Sequence, residues 1–171
     1  MNKIFKAFAT STLFLTIQIS SAHADSGNYV LPLALATEAA TEAIKVCEGN
    51  GYNVSVAIVD ISGVIKLFAK GDKSTIHTKD SSFRKAYTTV TMGPIFKFDT
   101  TSQFIEKISK NPAASALASI PDIILLSGGV AIRSNGDIVA AIGVAGAPGG
   151  DKDEVCAQAG LAKIISQLPK K

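Results

Sequence analysis

Val130-Ala131-Ile132-Arg133-Ser134-Asn135-Gly136-Asp137-Ile138-Val139-Ala140-Ala141-Ile142-Gly143-Val144 decides the fold class. Two apolar, β-branched runs flank Asn135-Gly136, a pair that accepts positive φ and makes the turn whose twist suits antiparallel strands. The stretch predicts a hairpin with strands over 130–134 and 138–144. Upstream, Val54–Val59 and Val64–Phe68 flank the turn residues Asp60–Gly63 and predict another hairpin. Ile123-Ile124-Leu125-Leu126 reads as a fifth, continuous apolar strand. Strands joined by tight turns pair antiparallel, so the expected fold is α+β, with a sheet of about five strands flanked by helices.

Helical periodicity supplies the flanking layers. Ala36, Ala40, Ala43 and Cys47 share one face of a helix predicted over Pro32–Glu48, and Gly49-Asn50-Gly51 ends it. A second helix is predicted over Lys79–Val90, with Thr78 as its N-cap and Met92-Gly93-Pro94 as its stop. Thr100–Lys110 predicts a third, halted by Asn111-Pro112, and Ala113–Ser119 one loose turn. Asp151–Gln167 predicts the last. If the first and last helices lie side by side, Cys47 and Cys156 come within reach of each other.

The first 24 residues have the form of a cleaved export signal. Lys3 and Lys6 precede a mainly apolar stretch, Ala7–Ile19, and Ala22-His23-Ala24 offers small residues at the positions a signal peptidase reads. The expectation is a signal peptide over 1–24 and a single domain over 25–171, in the periplasm or secreted. Removing Lys3 and Lys6 leaves 15 basic residues against 14 acidic, a net of +1. Such a balance, without a basic stripe, argues against a nucleic-acid partner. Residues 25–171 contain no apolar run long enough for a membrane span. In an oxidising compartment Cys47 and Cys156 are the one available disulfide pair, with two buried thiols as the competing reading.

His77 is the one histidine in 25–171, which excludes a His-rich zinc centre within one chain. No G-x-S-x-G elbow supplies a nucleophilic serine, and Ser82-Phe83-Arg84-Lys85 matches S-x-x-K without the S-D-N and K-T-G partners of penicillin-recognising enzymes. The sequence therefore makes no case for a catalytic residue. The loop Gly146-Ala147-Pro148-Gly149-Gly150 is not G-x-G-x-x-G, and Asp151, Asp153 and Glu154 would repel a phosphate there. It reads as a tight strand-to-helix connection, or as part of a ligand wall. His77 itself reads as a solvated loop histidine or as a ligand. A helix N-terminus favours its neutral, iron-binding form. Arg84 lies about 10 Å farther along a helix, a span that suits an axial histidine and a haem propionate, while Met92 at about 22 Å is too distant to share the iron.

Several segments together resemble the haem-binding GlcG/HbpS family. They are Val54–Asp60 with Gly63, His77-Thr78, Arg84-Lys85-Ala86-Tyr87-Thr88, Gly128–Ile132, Ala141–Val144, and Gly146–Gly150 followed by Asp153-Glu154-Val155-Cys156-Ala157. They occur in the same order along nearly all of 25–171. The resemblance implies a profilin-like fold and haem as cofactor. His77 would then bind the iron, with Thr78 beside it and Arg84 and Lys85 facing the propionates. It also implies a homo-oligomer and, in some members, a membrane sensor kinase as partner. The function so implied is an exported haem carrier, scavenger or sensor. The alternative is a domain for a small organic ligand, or an enzyme, that does not use haem.

Overall fold

The computed structural model describes residues 29–170; the expected signal segment lies outside them. The elements are α1 (Leu33–Gly49), β1 (Ser55–Asp60), β2 (Ile65–Lys70), α2 (Thr78–Phe96), α3 (Thr101–Ile108), α4 (Ala114–Leu117), β3 (Gly129–Ser134), β4 (Asp137–Ala145) and α5 (Gly150–Ile164), which ends in a 3-10 turn. Both predicted hairpins form. They join through β1 and β4 into one antiparallel sheet, ordered β2-β1-β4-β3. Asn135 and Gly136 both take positive φ, 53° and 92°, as the turn between β3 and β4 requires.

The sheet has four strands, not the five the sequence suggests. Ile123–Leu126 runs as coil across α2. Side chains of α2 take the place of a ladder there: Arg84 Nη2 donates to Ile123 O at 2.6 Å, and Ile124 N donates to Thr88 Oγ1 at 2.9 Å. Only Ile123 of the four is buried, so this apolar run marks neither a strand nor a fully buried segment.

Period-2 alternation assigns the two faces of the sheet. Val54, Val56 and Ile58 with Ala140, Ile142 and Val144 face α1 and α5, forming the larger core with Ala36, Ala40, Ala43 and Ala157. Val59, Ala131 and Ala141 face Ala86 and Val90 of α2. That second face is built of small residues, and α2 lies close upon it. A Cβ on Gly143 would collide with the backbone of Ser82 and Ala86. A third cluster, around Met92, Phe98, Phe104, Ile108 and Ile123, seals the far end of α2.

Helix α2 runs through Met92-Gly93-Pro94 to Phe96, past its expected stop. Pro94 forgoes one backbone bond, but Gly93 packs against Ile138 and Phe98, and the turn closes at Lys97 (φ 55°), whose N–H bonds Gly93 O. The N-cap is His77, one residue before the expected Thr78. Thr78 is instead the first helical residue, with its side chain turned inward.

Candidate functional site

Helices α1 and α5 pack side by side, and Cys47 and Cys156 are joined by a disulfide with Cα atoms 5.6 Å apart. Both residues are buried. The bond ties the first helix to the last just beyond the Gly146–Gly150 loop. That loop is drawn tight against the start of β1, where a Cβ on Gly146 would collide with the Asn53 carbonyl.

At the same end of the sheet lies an open groove of about 370 Å³, lined by Gly51, Tyr52, Asn53, Lys73, Thr75, Gly146 and Pro148. One wall is the loop between β2 and α2, another the glycine-rich loop after β4, and the floor is the segment that enters β1. Lys152 lies over the Tyr52 ring, 5.6 Å from its centroid. The groove thus offers an aromatic ring, an amide and nearby ammonium groups.

His77 stands at the exposed end of α2, two residues from the groove-lining Thr75. Its Nδ1 lies 3.0 Å from Thr75 Oγ1. A hydrogen bond at Nδ1 orients the imidazole, and in the tautomer where Nδ1–H donates to Thr75, Nε2 carries the lone pair that a ligating histidine uses. Among the described residues no carboxylate bonds this ring, so no Ser-His-Asp arrangement exists around it. Nor do the described residues contain any cluster of three or more His, Cys, Asp or Glu able to hold a bare metal ion.

Of the other three expected site residues, Thr78 and Lys85 are buried and Arg84 is half-buried. Thr78 is fully buried and donates to Thr75 O at 2.6 Å. Arg84 is half-buried; its Nη2 donates to Ile123 O at 2.6 Å, while its buried Nε has no hydrogen-bond partner. Lys85 is buried; its Nζ donates to Asp153 Oδ2 at 2.6 Å and to Val144 O at 2.9 Å. Asp153 Oδ1 in turn accepts from Ala147 N at 2.9 Å. Glu154 accepts from Ser102 N at 3.1 Å and Ser102 Oγ at 2.5 Å. These groups form two neighbouring polar sets, Lys85 and Asp153 joining α2, β4 and α5, and Glu154 and Ser102 joining α5 to α3. Burial pushes the Lys85 amine below its usual range, outweighing the raising effect of Asp153. Burial likewise pushes the Asp153 carboxyl up, outweighing Lys85. Gly128 (φ +122°) makes room for the pair; a Cβ there would sit 2.9 Å from Lys85 Nζ and 2.8 Å from Val144 O.

The structure therefore separates the residues that the sequence groups together. His77 faces outward near the groove, while Thr78, Arg84 and Lys85 hold the scaffold behind it. Sequence reasoning missed Tyr52, Asn53 and Lys73 as groove residues. The one signal was the glycine-rich loop read as a possible ligand wall, whose Gly146 and Pro148 do line the groove.

A family model described as "Haem degrading protein HbpS-like" matches residues 31–162. Among solved structures, a crystal structure of HbpS is 37% identical, with a TM-score of 0.72, over 80% of this chain and 92% of that one. A double mutant of Streptomyces reticuli HbpS is 34% identical, with a TM-score of 0.72, over 90% of this chain and 97% of that one. The structure of a PduOC–haem complex shares the fold, with a TM-score of 0.70 at 20% identity over 80% of this chain and 96% of that one. A search of curated proteins matched nothing.

Proposed function

The chain belongs to the HbpS-like family, and from that premise we propose that it is an exported haem-binding protein with His77 as the axial ligand. The observation that carries this reading is the exposed imidazole, oriented at Nδ1 by Thr75, beside a groove that Thr75 also lines. The donor set fits the group. A neutral imidazole suits iron, the Tyr52 ring offers a flat apolar contact, and Lys73 with Lys152 offers ammonium partners for propionates. Haem, when bound, would supply an iron centre able to exchange electrons, with His77 as the protein's ligand to it.

The protein's own residues do the holding. Thr75 fixes the imidazole, the loop carrying Gly146 and Pro148 forms the far wall, and the contacts of Arg84 with Ile123 and of Lys85 with Asp153 keep α2 in place beneath. The groove is open on one side, so a second copy of the chain is proposed to complete it. That supports a homo-oligomer whose haem lies near the contact between copies. The buried Cys47–Cys156 bond supports export, because such bonds persist in oxidising compartments.

A haem titration of the protein beside His77→Ala tests the reading. The expected result is a saturable Soret band at one haem per chain. In the variant, affinity should fall on the order of tenfold or more and the band should shift, the tenfold corresponding to about 1.4 kcal/mol. An unchanged spectrum and affinity in His77→Ala would remove His77 as the ligand. Failure of the wild type to saturate would remove haem.

A further inference from the structure

Between β1 and the loop that carries His77 lies a chain of three buried hydroxyls. Ser55 Oγ is 2.9 Å from Ser74 Oγ and 2.7 Å from Thr78 Oγ1. Ser74 Oγ donates to Gly71 O at 2.9 Å, and Thr78 Oγ1 donates to Thr75 O at 2.6 Å. All three side chains are buried, Ser55 and Thr78 fully. The two outer protons are thus spent on carbonyls of the loop itself, which leaves Ser55 one proton for two neighbours.

Ser55 also sits where the groove's walls meet. It is the first residue of β1, paired with Lys70 at the end of β2 and with Ala145 at the end of β4. Lys70 leads into the loop bearing Lys73, Thr75 and His77. Ala145 leads into the loop bearing Gly146 and Pro148. Both walls hang from this one strand position, and the hydroxyl chain clips the first wall to it at two points, Ser74 and Thr78.

We propose that Ser55 is a positioning residue for the haem site: its hydroxyl, through Ser74 and Thr78, sets where Thr75 and His77 stand relative to the opposite wall. This rests on the reading of His77 as a ligand. Losing this hydroxyl orphans no neighbouring donor. In Ser55→Ala, Ser74 and Thr78 both retain their carbonyl acceptors, so no donor of theirs is left without a partner. What is lost is the clip between loop and strand.

The test uses the full-length chain, without and with haem. In the haem-free protein, the imidazole C–H resonance of His77 is assigned by its absence in His77→Ala. It should move in Ser55→Ala, and amide exchange over residues 73–78 should speed up. Ser74→Ala, which cuts one of the two clips, should give a smaller change of the same kind. With haem, Ser55→Ala should bind about three- to tenfold more weakly with an unmoved Soret maximum, because the iron ligand is retained. A folded Ser55→Ala whose imidazole resonance and amide exchange match wild type would overturn the positioning role, whatever haem does. If those signals move but wild type binds no haem, the haem reading fails, and with it the role toward haem; the clip alone survives.

Discussion

Lys85 Nζ lies 2.6 Å from Asp153 Oδ2, with both side chains 4% exposed, and this ion pair joins α2 on one face of the sheet to the first turn of α5, the helix that covers the other face. Two charges taken out of water gain less from each other than their desolvation costs, unless further hydrogen bonds help. Here Val144 O and Ala147 N supply them. Breaking the pair from one side leaves a lone buried charge.

Lys85→Met should therefore destabilise the fold by about 3–5 kcal/mol. Adding Asp153→Asn should recover most of that loss. The asparagine oxygen still accepts from Ala147 N, and no lone charge remains. Urea unfolding of the single and double variants measures both steps. A double variant no more stable than Lys85→Met would show that the pair itself, and not the orphaned carboxylate, carries the cost.

The pair also predicts the pH profile. Folded Lys85 gives up its proton more readily than the unfolded chain, whose lysine titrates near 10.5. Its contribution to stability is therefore present above 10.5 and lost as pH falls through its lowered folded value. Folded Asp153 keeps its proton more tightly than an unfolded aspartate near 3.8. Its contribution is present below 3.8 and lost as pH rises through its raised folded value. The wild type should thus compare least well with Lys85→Met/Asp153→Asn at intermediate pH and recover toward both extremes. Urea midpoints taken from below 3.8 to above 10.5 give the difference curve, and a flat one would mean that burial does not outweigh the pairing.

Removal of the disulfide should cost stability without changing the layers. Cys47 and Cys156 are 109 positions apart, and closing a loop of that length is worth about 4–5 kcal/mol in the chain-entropy account. Cys47→Ala/Cys156→Ala should unfold at lower urea by about 2–5 kcal/mol and retain its native circular dichroism. Because both cysteines are buried, reductant alone should leave the bond intact until denaturant opens the α1–α5 contact. Mass spectrometry after thiol alkylation reads this directly.

Lys73 and Arg84 should behave oppositely. Lys73 lines the groove and Arg84 braces the Ile123 carbonyl. Lys73→Glu should weaken haem binding without moving the Soret maximum and leave the melting temperature near wild type. Arg84→Met should lower stability by about 1–3 kcal/mol, the range for losing a charged hydrogen bond, with little effect on haem affinity once folded. Titration and thermal melts on the same two variants separate the roles. If Arg84→Met proves the one defective in haem binding, the acid group of the ligand lies on the far side of α2.

Much of this protein is legible from local chemistry. Asn135-Gly136 between two apolar runs needs only its own backbone preferences to declare a hairpin, and the alanine stripe ending in Cys47 declares a helix packed closely against a sheet or another helix. Those signals are local, so no tertiary information is needed to read them. The strand count failed because Ile123–Leu126 shows one apolar run, and only the arrival of Arg84 and Thr88 from α2 supplies its backbone partners. The site was split for the same reason. Thr78, Arg84 and Lys85 sit one to eight residues from His77 along the chain, but helical rotation turns Thr78 and Lys85 into the core and commits Arg84 to a distant carbonyl, while His77 stays outside. Tyr52, Lys73 and Gly146 carry no motif that joins them; antiparallel pairing of β1 with both β2 and β4 brings their loops to one end of the sheet. The sequence by itself determined both hairpins, the main helices, the family and the single histidine of residues 25–171. The tertiary structure decided which polar side chains hold the scaffold and which line the groove, because burial and hydrogen bonding depend on neighbours remote in the chain.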